Sequence, residues 1–455
     1  MDPRNHSDDE VECPYYPELI PLHGPVTRQD LATVYEELRR QRGPVVPVEI
    51  APGVAAWLVL SHQEVLEVIW NARLFSSDPR RWSAALHGML PEGAPMLALL
   101  GPRLSLFQLD GKEHLRHRRA MTTALDQIDP RRLIRMVRHE ADALVDTWAA
   151  RESADLMAHF ARPLVWRAFT YLIGVSESSI SALDSLVETI VYDDLPGTAR
   201  AEGELLSAMR RLVAERSVAP GPDLPSWLTQ AARLTDEEIA HNLVALLLHG
   251  PASIINWIGN TMRSLFGHLG PIRAAATGNL VADMVEHALR AGAPVPNITG
   301  RWATADVTLA GCRIRAGDLV IPCVAAANTD PCLQDAPLSH TRAHLAWGTG
   351  AHGCPAKDTA RLITETAIEV LLDRLPGVRP ALPDAVLRRR PSLWCGAPAE
   401  LPVVFSAATR SYTNQVSAPP SQLTVMDAPA RVRRDAVGPE SAPQRWSWWN
   451  SLGGW

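Results

Sequence analysis

The chain has 455 residues, is 46% hydrophobic and carries a formal net charge of −6. That length and apolar content suffice for a sizeable core, and the acidic balance gives no reason to expect a nucleic acid or an anionic membrane surface as partner. The six cysteines (Cys13, Cys312, Cys323, Cys332, Cys354 and Cys395) form no C-x-x-C pair, which argues against a structural zinc cluster and for reduced thiols in a cytoplasmic protein.

The N-terminal stretch MDPRNHSDDEVECPYYPELIPLHG is acidic and lacks the basic-then-apolar order of a leader or anchor; residues 1–14 are expected to be flexible. Apolar residues then recur at three- and four-residue steps in RQDLATVYEELRRQ, SHQEVLEVIW, RRLIRMVRHEADALVDTWAA, SLVETIVYDD and TDEEIAHNLVALLL, the spacing of amphipathic helices. Strand-like runs are few: PVVPVEI with AAWLVL, and DVTLAGCRI with DLVIPCVA. The pattern predicts a mainly α fold with small β-sheets in a single large domain, without an apolar run of bilayer-spanning length. Residues 409–455 turn polar, proline- and alanine-rich and aperiodic, a composition that predicts disorder. They end in RWSWWNSLGGW, which serves either to fold back on the domain or to dock a protein partner.

Chemistry concentrates in AWGTGAHGCPAKDTAR, residues 346–361. Cys354 stands two residues after His352, among Gly348, Gly350 and Gly353. A thiolate there can act as a nucleophile with His352 as base, as a redox centre or as a metal ligand; the bland alternative is a buried structural cysteine. The glycines suit a chain that turns tightly against something flat or bulky, with backbone N–H groups aimed at the sulfur. Those are the needs of an axial thiolate under a haem iron.

On these residues the chain resembles the cytochrome P450 superfamily of haem-thiolate monooxygenases. In WGTGAHGCPA the family's haem-binding stretch is met by Trp347, Gly348, Gly350, His352 and Cys354, with Ala356 where a glycine is usual. DGKEHLRHRRAMTTAL resembles the family's His-x-x-x-Arg helix, with His114 and Arg118 on one face. GRWATADVTLAGCRIRAGDLVIPCVAAANTDP resembles its strand hairpin, led by Arg301. The resemblance implies the P450 fold over residues 15–408 and haem b (iron protoporphyrin IX) with Cys354 as iron ligand. It further implies that His114, Arg118, Arg301 and His352 hold the propionates, with Trp347 and Gly348 beside the cofactor. The implied reaction is oxidation of a small organic molecule with O2 and electrons from ferredoxin and ferredoxin reductase. Arg116, Arg119, Lys357 and Arg361 are candidates for a basic face that attracts the acidic donor.

Two departures accompany the resemblance. LLLHGPASIINWIGN places Gly250 at the family's glycine, Ala252 at its acid and Ser253 at its threonine. Pro251 is expected to free the Leu247 carbonyl, at a cost of about 3 kcal/mol unless the helix is already open there. His249 either turns away or caps the distal pocket and supplies a proton, so Ser253, His249 and Gly250 are the catalytic candidates. In VEHALRAGAPV, Arg290 matches the arginine of Glu-x-x-Arg, but His287 stands at the glutamate; Glu286, one residue earlier, is expected to face Arg290. Atypical actinobacterial members that lack this glutamate and the distal acid are similar. Three functions stay open: a monooxygenase, a catalytically weakened haem-binding protein that acts as a partner or regulatory component, and a peroxide-using haem enzyme.

Overall fold

The predicted helices form because each has one apolar stripe to bury. In Pro130–Trp148 that stripe is Leu133, Val137, Ala141, Leu144, Val145 and Trp148, and it packs on the helix Lys357–Arg374. Asp129 caps the first of these helices by accepting from the N–H groups of Arg131 and Arg132, with Pro130 at the first helical position. The structure, a computed structural model, describes residues 18–91, 96–192, 197–275, 280–333, 344–375 and 377–406. The N-terminal segment 1–14 and the tryptophan-rich segment 409–455 lie outside the described residues.

The helix Asp236–Ala275 runs through the helical core, against Arg162–Ile173, Thr198–Val218, Leu280–Ala291 and Lys357–Arg374. It continues through Pro251, as expected of a proline inside a helix. By length and composition alone Asp236–Gly267 could cross a membrane. However, 67% of its apolar window is buried inside the protein, so its composition serves the core.

The larger sheet has the strand order Ile20–Pro21, Val45–Ala51, Val54–Val59, Leu319–Pro322, Arg301–Ala303, Phe75–Ser76. Its hairpin Val45–Ala51/Val54–Val59 is the predicted one. The second predicted pairing differs. DVTLAGCRI folds on itself, Val307–Leu309 against Cys312–Ile314, around Ala310 and Gly311, both at positive φ. That geometry makes a two-residue hairpin turn. Leu319–Pro322, buried along its whole length, leaves to pair with Val54–Val59 and Arg301–Ala303, as a continuous apolar run does in a sheet interior. This placement carries Arg301 into the protein.

Among the described residues three ion pairs join Pro130–Trp148 to Lys357–Arg374. Arg374, 10% exposed, meets Asp142 at 2.9 Å and also Asp146, whereas Arg138 and Glu369 pair at 2.8 Å with both side chains more than 40% exposed. Arg374→Ala strands two half-buried carboxylates and should cost about 2 kcal/mol. Arg138→Ala should cost no more than about 0.5 kcal/mol. Calorimetric Tm values of the two variants check the contrast.

Candidate active site

The long helix, the strand Arg301–Ala303 and the segment leading through Cys354 line a cleft of about 220 Å3. Its walls are mostly apolar, with Leu106, Phe107, Phe169, Leu246, Val295 and Ile298 among them, and it brings together His249, Gly250, Ser253, Arg301, Trp347, Gly348, His352 and Cys354. A Cβ at Gly250 would lie 2.6 Å from the Phe169 ring, so the glycine there answers to close packing.

The cysteine turn is built by its own backbone. Gly348 N–H donates to Leu345 O (2.8 Å), Gly353 N–H to Gly350 O (3.2 Å) and Cys354 N–H to Trp347 O (2.7 Å). Gly348 and Gly350 adopt φ of 62° and 65°, a region that favours glycine. Arg118 reaches the turn from the helix Gly111–Leu125 and donates to the carbonyls of Gly353 and Ala351. Burial pushes the Cys354 thiol up; the Ala356 N–H and the Arg118 guanidinium pull the other way. Trp347 meets Trp257 edge-on, with ring centroids 5.1 Å apart.

A polar wall adjoins the turn. The His114 and His352 rings lie 4.0 Å apart. His352 Nε2 is 3.1 Å from Ser77 Oγ and 3.5 Å from the Asp110 carboxylate. Burial pushes the Asp110 carboxyl up, but hydrogen bonds from His352, Ser76 and Ser77 outweigh it and hold the group at about 2. Burial, reinforced by the charges of His352 and Arg118, brings His114 down to about 4. Arg301 is 4% exposed and has no carboxylate within ion-pair distance among the described residues; it donates to the carbonyls of Thr299 and Gly300.

Three buried ring nitrogens here have no partner: His114 Nε2, His352 Nδ1 and Trp347 Nε1. The buried Trp347 indole N–H and an unneutralised guanidinium call for an anionic acceptor. An apolar slot with a thiol on one wall and such groups on another fits haem b, a flat apolar macrocycle with two carboxylates.

Farther along the long helix, His249 stacks on Phe107 at 4.8 Å, and burial, with a smaller push from Arg103, takes it down to about 4. The Ser253 hydroxyl donates to the His249 carbonyl, a helix back-bond that occupies its only proton. Glu286 does not face Arg290 as expected: its carboxylate meets His344 Nε2 at 3.0 Å and pairs with Arg361. Packing between three separate segments decides this choice, and helical spacing cannot reveal it. Arg361 is thereby drawn away from the expected basic face, and Arg116 pairs with Glu113 and Glu238. The latter ion pairs also fill the one place among the described residues where three metal-ligand side chains, Glu113, His117 and Glu238, converge. Sequence reasoning missed Asp110, Ser77, Trp257 and His344. Asp110 stands at a helix N-cap, an unremarkable place for aspartate, and only the folded chain brings it to His352.

No protein-family model matches the chain. It is 31% identical to mycinamicin IV hydroxylase/epoxidase of Micromonospora griseorubida over 398 residues, which cover 82% of this chain and 96% of that protein. It is also 31% identical to nocardicin C N-oxygenase of Nocardia uniformis subsp. tsuyamanensis, over 83% of this chain and 96% of that one. Among solved structures, CYP154A1 from Streptomyces coelicolor A3(2) superposes with a TM-score of 0.74 at 27% identity, covering 85% of this chain and 100% of that one. Fold and cleft together define a mainly α haem-thiolate oxidoreductase. The chain belongs to the cytochrome P450 superfamily, whose cofactor is haem b.

The burial of His249 sets a pH dependence. Between pH 7 and 5 the unfolded chain takes up a proton at this histidine, whose ordinary value is 6.5, while the folded chain, at about 4, does not. Stability therefore falls as pH falls, by about 2 kcal/mol from this residue at pH 5. Denaturant titrations of His249→Gln at pH 7 and pH 5 should show a correspondingly smaller loss than the wild type.

Proposed function

We propose that this chain is a monooxygenase that places one oxygen atom of O2 into a small, largely apolar organic molecule, with two electrons drawn from a ferredoxin and its reductase. The observation that carries the reading is the meeting, in one cleft, of the glycine-built Cys354 turn with the unpartnered Trp347 indole N–H, His352 and an unneutralised Arg301. Two relatives whose names specify a hydroxylase/epoxidase and an N-oxygenase support the reaction class. Bound through a thiolate, haem b supplies an electron-rich iron for O–O cleavage.

The chain's own residues do the rest. Cys354 is the ligand, and Arg118 on the carbonyls beside it adds positive charge near the sulfur. Arg301, His114 and His352 receive the propionates, whose charge suits the guanidinium and the open ring nitrogens. Gly348 and Trp347 line the cofactor's face. The apolar wall from Leu106 and Phe107 to Phe169 excludes water and holds the substrate by area. His249, Gly250 and Ser253 face this space from the long helix; His249, neutral at pH 7, is the proton-bearing group that Ala252 is not.

One observation favours a second reading, a haem-binding protein of weak turnover that acts through protein contacts. The Ser253 proton is committed to the helix backbone, and Ala252 has none to give. A peroxide-using enzyme would depend less on such proton delivery.

The ferrous–CO spectrum of the purified protein should show the red-shifted Soret band of thiolate ligation, absent from Cys354→Ala; a colourless protein that takes up no haem sinks the proposal. General acids are typically worth about 10²–10⁴-fold in rate. Ala252→Asp should accordingly raise product formed per electron pair, measured with a ferredoxin–reductase couple and a substrate that shifts the spin state. Unchanged coupling would show that the proton arrives without the acid.

A further inference from the structure

The stripe that the long helix presents to the cleft includes Asn242, Leu246, His249, Gly250, Ser253 and Trp257, at the three- and four-residue steps of one helix face. Its far end is tied to the cysteine turn. The Trp257 ring lies edge-on to Trp347, whose carbonyl accepts from the Cys354 N–H at 2.7 Å. His249 stands eight residues before Trp257, about 12 Å back along the helix axis, and its side chain lines the same cleft as Cys354.

The imidazole of His249 is held in place but left unsatisfied. Phe107 stacks on it, with ring centroids 4.8 Å apart and planes inclined at 37°. Gly250 beside it packs so closely on Phe169 that a Cβ would lie 2.6 Å from that ring, so the helix is firmly seated at this point. Among the described residues neither ring nitrogen of His249 has a hydrogen-bond partner. The other polar groups of the stripe are engaged. Asn242 donates to His117 Nδ1 and to the Glu238 carbonyl and accepts from the Leu106 N–H, and Ser253 donates to the His249 carbonyl. A nitrogen lone pair left open in an apolar cleft calls for a partner, and the imidazole of histidine is the commonest protein ligand to metals, iron included.

We propose that His249 is the second axial ligand of the haem iron in the resting protein, across the macrocycle from Cys354. The proposal rests on Cys354 being the haem ligand, as in the proposed function, and goes beyond that reading by closing the sixth position with a side chain. One cause then accounts for three departures that lie close together on the helix. An iron whose sixth position is held by His249 needs no acid and no hydroxyl poised there, and the chain has Ala252 and a Ser253 whose proton is committed to the backbone. Turnover with O2 requires the imidazole to leave: the nitrogen keeps its electron pair, the iron keeps its charge, and O2 takes the vacated position. Once released, the same side chain is free to carry a proton.

The test uses the haem-loaded full chain without substrate, with ferric absorption and EPR spectra as readouts. Wild type should be low-spin with the red-shifted Soret band of nitrogen–thiolate ligation, and His249→Ala should show the band of a water-ligated or five-coordinate iron. Added imidazole should restore the wild-type spectrum to His249→Ala. Cyanide, which must displace the side chain in wild type, should bind His249→Ala at least about tenfold more tightly, because no more than about a tenth of the wild-type iron is open to it. Ser253→Ala should keep the nitrogen–thiolate spectrum, and the ferrous–CO spectra of wild type and both variants should keep the thiolate band.

A water-ligated or high-spin ferric spectrum in wild type, unchanged in His249→Ala, overturns the proposal and leaves the monooxygenase reading standing. The same spectral loss in Ser253→Ala overturns it as well, since a general loosening of the helix would then explain both variants. Where His249→Ala takes up no haem, His249→Gln decides: loss of the nitrogen–thiolate spectrum supports the ligand, and a wild-type spectrum refutes it. A wild-type protein without the thiolate band in its ferrous–CO spectrum shows instead that the Cys354 reading is wrong, and the ligand pair with it.

Discussion

The proposed chemistry depends on keeping one sulfur, that of Cys354, both buried and charged. Burial alone raises the Cys354 thiol, and an isolated anion in an apolar cleft is costly enough that a group normally takes up a proton instead. A haem iron removes that penalty only if the sulfur is already in place, so the chain must hold a short turn rigidly against the rest of the core. Three kinds of contact do this. The backbone closes on itself from Leu345 to Cys354, Arg118 grips two carbonyls of the turn from the Gly111–Leu125 helix, and Trp257 braces Trp347 from the long helix. Each draws on a different part of the chain.

Charge in the cleft is sorted by burial and by partner. Histidines without an acidic neighbour in hydrogen-bond reach, His114 and His249, are held neutral. The carboxylates that do enter the interior, Asp110 and Glu286, come with their donors: Ser76, Ser77 and His352 for the first, His344 and Arg361 for the second. Arg301 is the exception, a buried cation whose hydrogen bonds go to backbone carbonyls. Since an uncompensated buried charge costs several kcal/mol, Arg301 is the residue whose environment most requires an anion from outside the chain. On the proposed reading the propionates of haem b would meet that requirement, which links the electrostatics of the fold to the cofactor of the family.

Much of this was legible in the sequence because it is local. Helical periodicity located Leu31–Arg42, His62–Trp70 and Pro130–Trp148, and the glycine spacing around Cys354 marked a turn whose shape is set by φ. The partner of Leu319–Pro322 was not legible, since its apolar run fits a hairpin and a central strand equally well; burial on both faces decides between them, and burial is a property of the whole fold. Asp110 and His344 escaped for the same reason. An aspartate before a helix and a histidine before a turn carry no local mark of function. They acquire one only through residues 242 and 58 positions away, His352 and Glu286 respectively.

The Glu-x-x-Arg position shows what such a motif conserves physically. A pair on one helix face is a means of presenting a buried, ionised carboxylate to the segment beneath it. Moving the glutamate back by one residue rotates its side chain by about 100° around a helix of 3.6 residues per turn, far enough to change which element it meets. In this chain the rotated carboxylate finds His344 and Arg361, one on each side of the cysteine. The direct route from that helix to the sulfur is thereby short: Glu286 to Arg361, then about one helical turn back to the start of Lys357–Arg374 and the cysteine before it. A chain that lost the glutamate at one register has kept a carboxylate in the same helix at another.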